Sequence, residues 1–147
     1  MGDPVRRSTI AVTEVTDGKF RSGQVWTYRT RVGEESSRAF VGRVDQLATG
    51  ERIVHVALVG LRIENPLADG GCQSILSHAP VLESSCSQSV LELQDQSMIV
   101  ETFEEGYATW RNAFDGGGGG FFTVELKELP DLVEFALRQH PNSSHER

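Results

Sequence analysis

Apolar and polar positions alternate through residues 24–31 (QVWTYRTR), which puts Trp26, Tyr28 and Thr30 on one face and Val25, Thr27, Arg29 and Arg31 on the other. That two-residue period predicts a strand. Gly33-Glu34-Glu35-Ser36-Ser37 reads as a hairpin loop, and residues 38–45 as the returning strand. A turn at Thr49-Gly50-Glu51 leads into residues 52–63 (RIVHVALVGLRI), apolar on both faces as a central strand should be. Asn65-Pro66 and Asp69-Gly70-Gly71 then interrupt the pattern. Beyond them the period changes. Pro80 is placed to open a helix over 80–93. Phe103, Tyr107, Trp110 and Phe114 recur at i, i+4, i+7 and i+11, the signature of one helical face over 103–114. Thr102 and Glu105 have the spacing of a capping box. Residues 121–126 read as a further strand, and Pro130 opens a last helix over 130–140.

The expected fold is therefore α+β: a twisted antiparallel sheet or small partly open barrel with three helices. At 147 residues the chain is expected to form a single domain over 20–140, preceded by an N-terminal arm (1–19) that either frays or adds an edge strand, and followed by a disordered tail (141–147). Repeats are absent from the pattern.

A net charge of −7 argues against nucleic acid, whose phosphates require a basic face, and against anionic membrane surfaces. No run of residues has the length and apolarity of a membrane span, and the first residues lack the apolar core of a secretion signal. The expected location is the cytoplasm. Two cysteines, Cys72 and Cys86, do not make a disulfide framework. Cys86 is expected to be a buried thiol on the apolar face of the 80–93 helix, with a Cys72–Cys86 bridge and a reactive thiol as the alternatives.

The run Gly116–Gly120 follows a helix and precedes a strand. Phosphate-cradling loops do the reverse and usually carry a Lys, and Asp115 would repel phosphate. A flexible cap and connector fits better, with a mobile loop over a ligand pocket as the alternative. His55 lies mid-strand, where a satisfied sheet histidine is expected. His78, in Ser77-His78-Ala79-Pro80, sits where a loop is expected to enter a helix, a place that suits a functional residue. The chain lacks HExxH and paired CxxC spacings, so neither a metal nor a cofactor is expected. Glu101, Glu104 and Glu105 suit the positive end of a helix dipole. Arg29, Arg31, Arg38 and Arg43 lie near Glu34 and Glu35 in one hairpin, either as cross-strand pairs or as a site for a small anion or an acidic partner.

Several of these residues fall into a wider pattern. Trp26-x-Tyr28, Arg31-x-Gly33-Glu34-Glu35-x-Ser37, His78-x-Pro80 and Glu105-Gly106-Tyr107-x-x-Trp110-x-x-Ala113-Phe114-Asp115 resemble a family of small stand-alone bacterial proteins of unknown function. The resemblance spans residues 20–135, and the five-glycine run is longer than the family's connector. It implies no reaction. It directs attention to His78 and to the Gly33 to Ser37 loop.

The function expected from all of this is binding of a protein or small ligand on the sheet and loop face, with Arg31, Glu34, Glu35, His78 and Asp115 as candidate contacts. A second expectation is a small hydrolase using His78 with a carboxylate such as Asp115 or Glu105. A third is an immunity or defence accessory protein whose acidic charge masks a basic toxin.

Overall fold

The structure is a computed structural model that describes residues 12–139. Residues 1–11 of the arm and 140–147, the last helix residue expected and the tail, lie outside the described residues.

Six strands form one open antiparallel sheet among the described residues. They are β1 (Val12–Glu14), β2 (Val25–Tyr28), β3 (Arg38–Leu47), β4 (Arg52–Glu64), β5 (Cys72–Leu82) and β6 (Val90–Gln94). The order across the sheet is β5-β4-β3-β2-β6, and β1 pairs with the far end of β3, within the stretch expected to be an arm. The helices are α1 (Glu83–Ser89), α2 (Phe103–Asp115) and α3 (Leu129–Gln139).

The period-two strands are where the pattern placed them. β4 is an interior strand between β3 and the edge strand β5, and Ile53 to Leu58 are all buried, as its two-faced apolar run requires. Its even positions, Val54, Val56 and Leu58, join the larger core with Trp26, Tyr28, Val41 and Val81, against which Leu126, Leu129, Val133 and Leu137 pack. Ala57 instead belongs to a second apolar cluster with Phe103, Phe40, Val59 and Tyr107, beneath α2. The sheet is thus covered on two faces, one by α2 and the other by α1 and α3.

Three expectations fail for identifiable reasons. Residues 80–93 are not a helix. β5 runs on through Pro80 to Leu82, α1 occupies only Glu83–Ser89, and β6 follows at once. β5 is an edge strand by its place in the sheet, and there a proline's missing N–H costs no ladder bond. Proline alone therefore does not separate a helix start from an edge strand. Residues 121–126 are not a strand either. Phe122 alone bridges Val81, and Glu125 and Glu128 then form a capping box that opens a 3-10 turn (Leu126–Glu128) leading into α3. The Thr102 capping box does not form, since Thr102 is itself helical and its hydroxyl meets Ser77 Oγ at 2.5 Å. Strand 24–31 shortens to Val25–Tyr28, while the strand expected over 38–45 extends to Leu47.

Both cysteines are free thiols, Cys86 buried in the larger core and Cys72 exposed. Burial raises the Cys86 thiol to about 12, so it packs as a small hydrophobe.

Two glycines set how closely α2 approaches the sheet. A Cβ on Gly42 would lie 2.2 Å from the Phe103 ring, and one on Gly106 would lie 2.7 Å from His78 Cβ. Gly42→Ala is therefore expected to overpack the α2 face and lower stability by about 1–3 kcal/mol. Urea unfolding checks this. A wild-type midpoint would mean that Phe103 repacks freely.

Candidate functional site

Strand register gathers a polar chain beneath α2. Arg43 pairs with His55 and Asp45 with Ile53 across β3 and β4, while His55 pairs with Pro80 across β4 and β5. Arg43, Asp45, His55 and His78 consequently meet on the face that α2 covers. Asp45 is fully buried. Its Oδ1 accepts from Arg43 Nε at 2.8 Å, and its Oδ2 accepts from the Tyr107 hydroxyl at 2.8 Å. His55 Nε2 lies 2.9 Å from the same Oδ2, and His55 Nδ1 lies 2.9 Å from His78 Nε2.

The partners assign the tautomers. A carboxylate can only accept, so His55 Nε2 carries a proton and donates to Asp45. Neutral His55 then accepts at Nδ1, and His78 donates there from Nε2. His78 Nδ1 is left as the open basic position of an Asp45–His55–His78 relay.

Aromatic rings enclose the relay. The two imidazoles lie edge to edge along their hydrogen bond, near-coplanar at 17° with centroids 5.1 Å apart. Tyr107 and Trp110 stand edge-on to His55 at 4.8 and 4.7 Å, and Phe103 stands edge-on to His78 at 5.7 Å. The Arg43 guanidinium lies 4.9 Å over the Tyr107 ring. Arg111 Nη1 donates to the Tyr107 hydroxyl at 3.3 Å.

The electrostatics follow from burial. Burial pushes the Asp45 carboxyl up, but the hydrogen bonds from His55, Arg43 and Tyr107 outweigh it and hold the group below its ordinary value. Burial lowers His55 against the pull of Asp45. His78 falls to about 3, first through burial and then through the adjacent His55 ring. The pair is neutral at pH 7, and Asp45 is charged.

The expected site residues separate into groups. His78 lies mid-strand in β5, not at a helix start, and its ring partner is His55, not a carboxylate. Asp115 is exposed and pairs with Arg111. Glu105 is exposed, with its backbone carbonyl accepting from Thr109. Arg31 and Glu34 come together elsewhere, where Arg31 grips Glu34, Asp131 and Glu134 at 2.7, 2.9 and 3.0 Å. Buried Glu34 also accepts from the Arg62 N–H at 2.7 Å. This clasp ties the β2–β3 loop to α3. Glu35 is exposed and accepts the Gly33 N–H within its own loop. Asp45 was not among the expected residues, and His55 was expected only as a satisfied sheet histidine. It is satisfied, with both nitrogens engaged.

Beside the relay lies an open apolar slot of about 410 Å³, lined by Pro80, Trp110, Gly119, Gly120, Phe121 and Phe122. Trp110 belongs to both features. One edge of its indole faces the histidines, and its Nε1 donates to the Gly120 carbonyl at 2.7 Å. The glycine run forms the slot's lip in a defined shape. Gly117 and Gly119 have φ of +93° and +73°, and Gly118 N donates to the Ala113 carbonyl at 2.8 Å.

No protein-family model, no curated protein and no solved structure matches the chain. Among the described residues no helix is long and apolar enough to cross a membrane, and no three His, Cys, Asp or Glu side chains stand together as a metal site.

Proposed function

We propose that this chain is a binding domain whose slot receives an uncharged apolar group, either a small planar molecule or the aromatic side chain of a partner. One observation carries the reading: the slot wall is indole, phenyl, proline and glycine, with no ionisable side chain in it. The Trp110 N–H is already committed to Gly120. A charged ligand would lose hydration there without gaining a partner, whereas an apolar one gains by contact alone.

The relay supports binding over hydrolysis. His78 spends Nε2 on His55 and does not line the slot. The polar clefts at Lys19–Arg52–Ser87 and at Arg31–Arg62–Cys72 do not include His78 either. The His55, His78, Phe103 and Tyr107 rings instead form a base behind the Trp110 wall.

Titration with indole, and with N-acetyltryptophanamide as a stand-in for a partner's side chain, tests the reading. The expected result is a set of saturable NMR shifts at the Trp110 Nε1–H and at the amides of Gly119, Gly120, Phe121 and Phe122. Phe122→Asp, at a position already 38% exposed, should abolish them without unfolding the protein. Shifts elsewhere only, or shifts that survive Phe122→Asp, would refute the slot.

A further inference from the structure

The His55–His78 pair lies between the sheet and the helix that carries Trp110. We infer that the pair is a proton-operated latch: neutral, it holds α2 closed over the sheet, and a proton on His78 releases α2 and with it the Trp110 wall of the slot. This regulation acts on the slot proposed above and so rests on that reading, whereas the opening of α2 is measured without it.

The geometry supplies the sign. In the closed form the first added proton goes to His78 Nδ1, the open base position of the relay. The resulting imidazolium would lie among Phe103, Tyr107 and Trp110, edge to edge with His55. The charged groups around it offer little compensation. From β3 come Arg43, a cation, and Asp45, which already accepts from Arg43, His55 and Tyr107. From β4 comes His55 itself. From α2 come Tyr107 and Arg111, and Arg111 is a second cation whose partner is Asp115. Glu104 and Glu105 occupy exposed positions of the same helix, and Glu14 on β1 pairs with Arg43. A second proton, on His55 Nδ1, would set N–H against N–H and remove the bond between the rings.

Opening α2 relieves this, because α2 covers the pair, leaving His55 fully buried and His78 half-buried. Phe103, Gly106, Tyr107 and Trp110 all face it, with Gly106 allowing the helix backbone to rest on His78. Once wet, His78 regains an ordinary histidine value near 6.5. A group held neutral in the closed form contributes its stability in full above that value. The contribution is lost progressively as pH falls below it, towards the closed-form value of about 3. The ratio of open to closed α2 should therefore rise about thirtyfold between pH 7.5 and pH 5. Because Trp110 Nε1 fixes the Gly120 carbonyl, release of α2 also frees the slot's lip.

Hydrogen exchange of the full chain, corrected for the intrinsic pH dependence of exchange, tests this. The α2 amides should share an opening constant larger than that of the β4 amides, and it should rise about thirtyfold from pH 7.5 to pH 5. His78→Gln, whose amide can still donate to His55 Nδ1 but does not titrate, should flatten the rise. Saturating indole should slow α2 opening at both pH values. An α2 opening constant equal to that of β4 would mean that only global unfolding exposes the pair and would overturn the latch. So would an unchanged constant at pH 5, or a full rise in His78→Gln. Should that variant fail to fold, the wild-type comparison of α2 with β4 decides alone. If indole does not bind at pH 7.5, the slot reading fails while the exchange result still decides whether α2 is proton-operated. If indole binds but leaves α2 opening unchanged, the coupling between latch and slot is overturned.

Discussion

Asp45→Ala is expected to destabilise the protein by about 3–5 kcal/mol, the range for removing one partner of a buried charged network. Asp45 has no exposed surface, and its carboxylate is the acceptor on which three donors converge, from β3, β4 and α2. Without it the Arg43 guanidinium loses its 2.8 Å partner, and the Tyr107 hydroxyl and His55 Nε2–H lose their acceptor. The methyl group that remains cannot accept a proton, and the surrounding rings leave no polar substitute. His55 would also lose the contact that fixes its tautomer, so the His55–His78 bond should loosen with it. Urea unfolding at pH 7.5 measures the effect as a shift in midpoint at constant m-value. Tyr107→Phe removes only one of the three donors, and its cost should be nearer 1 kcal/mol. The pH dependence has a defined sign. A carboxyl held below its ordinary value contributes stability above that value and loses it as pH falls through the folded-state value, so Asp45→Ala should flatten the acid limb of the stability profile. A loss smaller than about 1 kcal/mol at pH 7.5 would show that water reaches the network and replaces the carboxylate.

How much of this was legible beforehand depends on the range of the interactions involved. β3, β4 and α2 are readable because their signals are local: an alternating run, a doubly apolar run and an aromatic stripe at helical spacing. β5 was missed because Gly70, Gly71 and Pro80 are turn and helix-start signals in isolation. Only its place at the sheet edge makes Pro80 compatible with a strand. The two-residue period of His78 and Pro80 against Ala79 and Val81 was the cue that could have revealed it. Phe121 and Phe122 suggested a strand because large apolar residues usually do, yet they serve as a slot wall and a single bridge.

The site divides in the same way. His78 stood out by residue type and motif, whereas Trp110 read as one more core residue of the aromatic stripe. Asp45 did not stand out, because an aspartate in an alternating strand reads as a solvent-facing position. Pairing β3 with β4 through the Thr49-Gly50 turn would have exposed it, since that register brings Arg43 opposite His55 and leaves Asp45 one step along the same face. Arg31 and Glu34 read only as members of a hairpin's charge cluster; their pair is a local i,i+3 contact, and the tie from Arg31 to Asp131 and Glu134 spans about a hundred residues and has no local trace. The glycine run read as a compliant connector. Gly116 does cap α2, and the left-handed glycines with the Gly120 bond to Trp110 add a lip to the slot, a feature that depends on an indole ten residues away.

Trp110→Ala should cost about 3–5 kcal/mol, as for other large buried aromatics, and should abolish probe binding in the slot. The indole is 8% exposed. It packs edge-on to His55, lies 5.8 Å from Tyr107 and stacks at 5.0 Å on Phe114. Truncation leaves a void between the relay and the lip, and the rings around it are held by other contacts and cannot all collapse inwards. Trp110→Phe separates packing from hydrogen bonding. It keeps most of the ring but removes the donor to Gly120, whose carbonyl is near enough to solvent to take water, so it should cost only about 0.5–1.5 kcal/mol. The two variants should therefore differ severalfold in stability and should both weaken indole binding, Trp110→Ala completely and Trp110→Phe in part. Thermal unfolding and the indole titration, run on both, read the two effects. A Trp110→Ala melting temperature equal to wild type would mean that α2 is seated without its indole, and the wall of the slot would then have to be sought among Phe114, Phe121 and Phe122.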